Sequence, residues 1–275
     1  MSLPPALLGS CSRQDPEPSA TDGLPTVPAA PDSVITKIRF LSDGIPVRRL
    51  DIFIYDAGGT QELERHLQLD SLCGELSLPT TAGAKLLVGI ANSPYNFNLH
   101  ALARYDAIRQ LSYRFSDDCP EYPIASDACT TSGQSGQLSL HPLLCCVELS
   151  SVCNTLDGYV LLEDPQVRLV DLPDGAEVLR EKEFRPTALI DAGTWVALPY
   201  DVGYFPQQPG IRLWCYPNDT PENVLGTPRP TLQFACSIEG EACTFDVPLP
   251  PLSRGSTKRV ELTIDGPEDC RYAVW

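Results

Sequence analysis

His66, His100 and His141 are the only imidazoles available for acid–base or metal chemistry in a chain of 275 residues. No two of them share the H-E-x-x-H spacing that sets a pair of imidazoles on one helix face. Gly133-Gln134-Ser135-Gly136-Gln137 comes within one residue of the G-x-S-x-G nucleophile elbow. It has Gln137 where the last glycine must stand and lacks the strand-to-helix turn that the motif needs, so it reads as a linker. Acidic side chains are scattered without a calcium-loop pattern, and Asp164, Asp171 and Asp174 read as turn residues. Gly58-Gly59 reads as a hairpin dipeptide and not as a phosphate cradle. Trp195, Trp214 and Tyr216 offer a platform for stacking a sugar, although aromatic residues in strands also build cores. None of the eleven cysteines sits in C-x-x-C, and Cys145-Cys146 with Cys153, or Cys236 with Cys243, lack zinc-knuckle spacing. No catalytic residue, metal-ligand set or cofactor motif emerges, and the chain reads as non-enzymatic.

Cys11 is the exception. Leu8-Gly9-Ser10-Cys11 fits the bacterial lipobox, in which small residues admit the signal peptidase and the thiol accepts a diacylglyceryl group. The few residues before it carry no Lys or Arg, so the start reads as a truncated signal peptide. Residues 12–33 hold five prolines and almost no large apolar side chain, the composition of an extended tether. Setting Cys11 aside for lipid leaves ten cysteines, an even number compatible with disulfides in an oxidising compartment. No later stretch has the ~18 apolar residues that span a bilayer, so membrane attachment would run through Cys11.

The elements that follow must be mostly strands. With 27 Pro and 19 Gly, the chain cannot be all-helical. Its 43% hydrophobic content supports a packed core, while a net charge of −16 opposes nucleic acid and anionic lipid as partners. Alternating or apolar runs between turn residues predict strands over 34–40, 47–56, 71–78 and 85–91. The spacing of Leu99, Leu102, Ile108, Leu111 and Phe115 predicts the one helix, within 98–116, and 117–136 reads as irregular. In the second half, strands are predicted over 137–142 leading into 143–152, and over 159–162, 167–170, 194–198, 211–216, 231–238, 243–249 and 259–264. Short strands with turn chemistry between them indicate β-sandwiches. The expected layout is a signal and tether over 1–33, one β-sandwich domain over 34–133 and a second over 134–275.

The order of these segments resembles the Bacteroidales fimbrillin-type subunits, the type V pilins and their lipoprotein anchor or tip relatives. The resemblance is carried by the lipobox-like Cys11, the Pro-rich tether and Val47-Arg48-Arg49-Leu50-Asp51-Ile52-Phe53-Ile54-Tyr55-Asp56. About thirty residues later comes Gly83-Ala84-Lys85-Leu86-Leu87-Val88-Gly89-Ile90-Ala91-Asn92, then the pair Gln137–Leu140 and Val147–Leu149, then Thr257–Gly266 and the terminal Tyr272-Ala273-Val274-Trp275. It implies two transthyretin-like Greek-key sandwiches and a lipid-anchored subunit at the outer membrane surface. It also implies assembly with other fimbrial subunits by strand exchange, in which a neighbour's strand completes an open sheet. In polymerising members a trypsin-like protease cuts after an arginine near the first strands, and Arg39, Arg48 and Arg49 are the candidates here. The other function considered is a surface lipoprotein that binds glycans through a sandwich face bearing Trp195 or Trp214.

Overall fold

The structure, a computed structural model, describes residues 33–42, 44–131, 134–220 and 228–275. Cys11, the tether, and Gly133 of the elbow-like stretch lie outside the described residues. The chain is an all-β fold of several sheets with one short α-helix.

The first half supplies β1 (Ser33–Leu41), β2 (Leu50–Asp56), β3 (Leu63–Leu69), β4 (Glu75–Thr81), β5 (Lys85–Ala91), α1 (Tyr105–Arg109), β6 (Ser112–Arg114), β7 (Ala125–Thr131), β8 (Ser135–Ser139) and β9 (His141–Pro142). They form a three-stranded sheet I in the order β4-β1-β8 and a five-stranded sheet II in the order β3-β2-β5-β7-β9. Between the two sheets lies a core containing Ile38, Phe40, Ile52, Ile54, Leu87 and Leu138. The opposite face of sheet II is also covered: Phe53, Tyr55, Val88 and Ile90 pack with Ile108 and Tyr113 from the α1 region and with Val178 and Tyr216 from the second half. Burial on both faces explains why Ile52–Tyr55 of β2 reads as an apolar run instead of an alternation.

The second half adds β10 (Cys145–Asn154), β11 (Glu163–Pro173), β12 (Gly175–Glu177), β13 (Leu189–Ala192), β14 (Val196–Ala197), β15 (Ile211–Cys215), β16 (Thr231–Ile238), β17 (Glu241–Pro248), β18 (Thr257–Gly266) and β19 (Asp269–Val274). Sheet III runs β15-β10-β18-β19, and sheet IV runs β13-β11-β16-β17 with β14 beside β11. Their inward residues, among them Val147, Leu149, Phe234, Phe245, Val260 and Leu262, make one core. A two-stranded ribbon of β6 and β12 joins the halves.

Several expectations are corrected. The helix within 98–116 shrinks to five residues, because Tyr113 buries itself by alternation between the exposed Ser112 and Arg114 in β6, which pairs with β12. The stretch expected to be irregular contains β7, an interior strand of sheet II between β5 and β9. Its polar sequence conceals it. Asp127 Oδ2 accepts the Ser139 amide at 2.6 Å, and the Ser126 hydroxyl bonds Val178 O at 2.5 Å, so polar groups sit in the sheet with partners. Residues 159–162 are not a strand. A 3₁₀ turn over Asp157–Tyr159 with positive φ at Gly158 and Tyr159 replaces it. β8 is not a linker either: it lies parallel to β1, in a sheet of the first half. β3 escapes the periodicity reading because Arg65 interrupts the alternation of Leu63, Leu67 and Leu69 with polar residues.

The cysteines from Cys73 to Cys270 are free thiols. Cys145 faces Cys215 and Cys236 faces Cys243 across neighbouring strands. Burial pushes the Cys145 and Cys236 thiols up to about 12, which keeps them as neutral core residues at physiological pH.

Candidate functional site

β1 alternates by necessity. Thr36, Ile38 and Phe40 point into the core while Lys37 and Arg39 point to solvent. The strand is held on both sides. It pairs antiparallel with β4 from Ser33↔Thr81 to Arg39↔Glu75, and parallel with β8 from Lys37↔Ser135 to Leu41↔Ser139. The Thr36 and Thr80 hydroxyls bond at 2.7 Å, and Leu140 N donates to Leu41 O at 2.8 Å. Without β1, two unpaired strand edges would face each other across a slot floored by apolar side chains of sheet II. The slot's far wall depends on a glycine. A Cβ on Gly136 would come within 2.5 Å of Leu87 Cδ1 and 2.7 Å of Thr131 Cγ2, so only glycine lets β8 lie this close to sheet II.

The chain leaves β1 through an exposed turn, with Gly44 at φ 79° and Ile45 N bonded to Ser42 O, and enters β2 through Arg48 and Arg49. Asn92, just after β5, fixes this passage. Its side chain accepts Arg48 N at 2.9 Å and donates to Pro46 O and Pro123 O, while its own amide donates to Arg49 O. Asn92 is therefore a clamp on the connection after β1, a role that its place in the sequence did not reveal.

The three candidate arginines differ in access. Arg39 lies inside a strand paired on both sides. Arg49 is engaged by the buried Asp51 at 2.6 Å and by Asn96 at 2.9 Å, and His66 binds the same carboxylate. Arg48 is exposed outside any strand, its guanidinium resting 3.3 Å above the centre of the Tyr122 ring. Of the three, Arg48 alone is both exposed and outside the strands, with its head stacked on Tyr122 and its amide held by Asn92.

The loop bearing Tyr122 is shaped by Asp118, whose Oδ1 accepts the amides of Cys119 at 2.9 Å and Ile124 at 2.8 Å. Burial raises its carboxyl from 3.8 to about 6, against the opposing hydrogen bonds from Ile124, Cys119 and Tyr216. Because the folded value is the higher one, the folded state holds this proton more tightly. The resulting stabilisation is present below about pH 4 and is lost as pH rises through about 6, up to about 3 kcal/mol. Asp118→Asn keeps the acceptor oxygen without the charge. It is expected to raise the unfolding free energy at pH 7 and to flatten its slope between pH 4 and 7, as measured by urea titration; an unchanged slope would count against this assignment.

The other candidates do not converge. Trp195 precedes β14 and is covered by the Arg168 guanidinium 4.3 Å from its ring, while Trp214 lies on β15 and packs partly buried against the cluster beneath sheet II. Each is covered on one side, Trp195 by the Arg168 guanidinium and Trp214 by the apolar cluster. His66 and His141 sit on opposite edge strands of sheet II, and His100 is in a loop. Among the described residues no group of three His, Cys, Asp or Glu could hold a metal ion, and no helix is long and apolar enough to cross a membrane.

The architecture has solved counterparts. A fimbrilin from Porphyromonas gingivalis W83 superposes with a TM-score of 0.60 at 11% identity, over 86% of this chain and 90% of that one. The fold is the fimbrillin-type fold. A fimbrial assembly protein from Parabacteroides distasonis ATCC 8503 shares it with a TM-score of 0.55 at 12% identity, over 88% and 95% of the two chains. So does a candidate cell adhesion protein from Bacteroides eggerthii DSM 20697, with a TM-score of 0.61 at 12% identity over 90% and 96%. No family model and no curated protein sequence matches the chain. The fimbrillin-type fold is thus reached here by a sequence that shares about one residue in eight with these structures.

Proposed function

We propose that this chain is a non-enzymatic, cell-surface fimbrial subunit, tethered to the outer membrane through lipid on Cys11, that assembles with other subunits by strand exchange. The observation that carries the reading is the position of β1. It is the middle strand of sheet I, it inserts Ile38 and Phe40 into the core, and it is joined to the rest of the chain by an exposed passage containing Arg48. Cleavage after Arg48 would part the Cys11 tether from the body, so an uncut subunit would serve as the lipid-held anchor and a cut one as stalk or tip; in the cut form β1 stays attached only by its ladder and its side chains. A neighbour's strand with the same alternation could then replace it, satisfying the freed edges of β4 and β8 and refilling the pockets. The fimbrial and cell-adhesion names of the structural neighbours support the same assignment.

The tether half of the reading is tested by Cys11→Ala. The variant is expected to be lost from the outer membrane fraction and to appear soluble, with metabolic fatty-acid labelling abolished. Retained attachment with labelling would sink the lipid assignment.

A further inference from the structure

Among the described residues, the four most exposed large hydrophobic side chains are Tyr159 (91%), Phe205 (79%), Tyr200 and Tyr204 (74% each). All four fall on two loops, between β10 and β11 and between β14 and β15. The loops are bound to each other and to the core. Leu162 and Val202, both fully buried, exchange amide–carbonyl hydrogen bonds at 3.0 Å, and Val152 and Gln207 do the same at 2.9 Å. The Asn154 side chain donates to Val160 O at 2.8 Å and to Val202 O at 3.0 Å, which locks one loop to the other. These rings stand on a fixed base, so the ordering cost of a binding surface is already met. Tyr159 adds a local oddity: a bulky residue at φ 62°, directly after Gly158 at φ 80°, projected into solvent.

Position and charge narrow the partner. β10 leaves the first half at Cys145 and runs to Asn154, so the loops lie at the end of sheets III and IV remote from the β1 slot. The segments 155–166 and 197–210 contain Asp157, Glu163, Asp164 and Asp201 and no Lys, Arg or His. Beside Tyr200 a concavity of about 370 Å³ is lined by Asp164, Gln166 and Asp201, which present carboxylate and amide groups next to the ring. Four carboxylates repel anionic lipid, nucleic acid and acidic glycans. They also disfavour a second copy of a chain carrying −16. A neutral sugar suits all of these features: its C–H faces stack on aromatic rings, and its hydroxyls donate to carboxylate and amide oxygens.

We propose that this aromatic end is a binding site for neutral glycans, separate from the β1 slot and independent of whether β1 is exchanged. One end of the molecule would then serve assembly and the other adhesion.

The test is a binding titration of the full chain against immobilised neutral oligosaccharides containing mannose, galactose or N-acetylglucosamine, with sialylated and sulfated ones alongside. Binding is expected to the neutral set and to be weaker for the anionic set. Tyr204→Ala/Phe205→Ala and, separately, Tyr159→Ala are expected to weaken it by about tenfold or more, with an unchanged thermal midpoint because the rings are solvated. Tyr95→Ala, which alters an exposed tyrosine of the first half, is expected to bind as the parent does. The proposal is overturned if no neutral glycan is bound at millimolar concentration, if the aromatic variants bind as tightly as the parent, or if those variants instead abolish self-association of the chain in sedimentation.

Discussion

Replacing Arg254 by Met is expected to lower the unfolding free energy by about 3–5 kcal/mol, which for a chain of this length reads as a fall in Tm of about 10 °C. Arg254 lies on the approach to β18 in the second half, yet most of its acceptors lie in the first. It donates to Ser126 O and Ser126 Oγ at 2.7 Å, to His141 O at 2.6 Å, to Val178 O at 3.0 Å and to Pro142 O at 3.3 Å. These acceptors sit on β7, on β9 and just after β12, so one side chain ties the second half to sheet II and to the ribbon segment. Burial lowers the guanidinium to about 10, which leaves it charged at neutral pH. Met fills much of the volume but leaves buried carbonyls without a donor, and that loss is the larger part of the cost. Arg254→Lys is expected to recover less than half of it, since one ammonium cannot reach the spread of acceptors served by a planar fork. A fall of under about 2 °C for Arg254→Met would show that the apolar cluster and the β6–β12 ribbon hold the halves together without it.

Ile38→Asp should be comparably severe, costing about 3–5 kcal/mol in the intact chain. Ile38 is fully buried between sheets I and II, where a carboxylate would lose its hydration among apolar side chains. Ile35→Asp is the matched control. Ile35 lies on the same strand with the opposite parity and is 54% exposed, so the change should stay within about 0.5 kcal/mol. The contrast separates loss of the pocket-filling face from loss of strand propensity, because both variants put aspartate into β1. Equal effects of the two would mean that β1 is held by its backbone ladder and that its side chains do not specify what fills the slot.

Much of this was legible in the chain because core-facing strands follow simple periodicities. The run predicted over 231–238 is β16 to the residue, and β1, β2 and β5 sit where alternation or apolar runs placed them. Legibility failed where tertiary partners overrode local pattern. β7 is polar because Asp127 and Ser126 find partners in β8, in the segment after β12 and in Arg254, more than a hundred residues away. Of the residues whose spacing predicted a helix within 98–116, Leu102, Ile108, Leu111 and Phe115 converge on sheet II from a turn, a short helix and the segments after it, while Leu99 stays exposed. Arg39, Arg48 and Arg49 were indistinguishable by type; only Asp51, Tyr122 and the two neighbours of β1 separate them. The aromatic loop residues carried no signal, since an exposed tyrosine and a core tyrosine look alike until burial is known.

Strand exchange requires that the place of β1 can be taken by another strand. Its most direct measurement starts from the folded full chain, cut after Arg48 by an arginine-specific protease and mixed with a fluorescent synthetic peptide of residues 33–41. The peptide is expected to enter the slot as the native β1 fragment leaves. The labelled complex should survive gel filtration, and the same peptide carrying Ile38→Asp should stay out. Retention of the native fragment over days with no label taken up, or equal uptake of the two peptides, would contradict it.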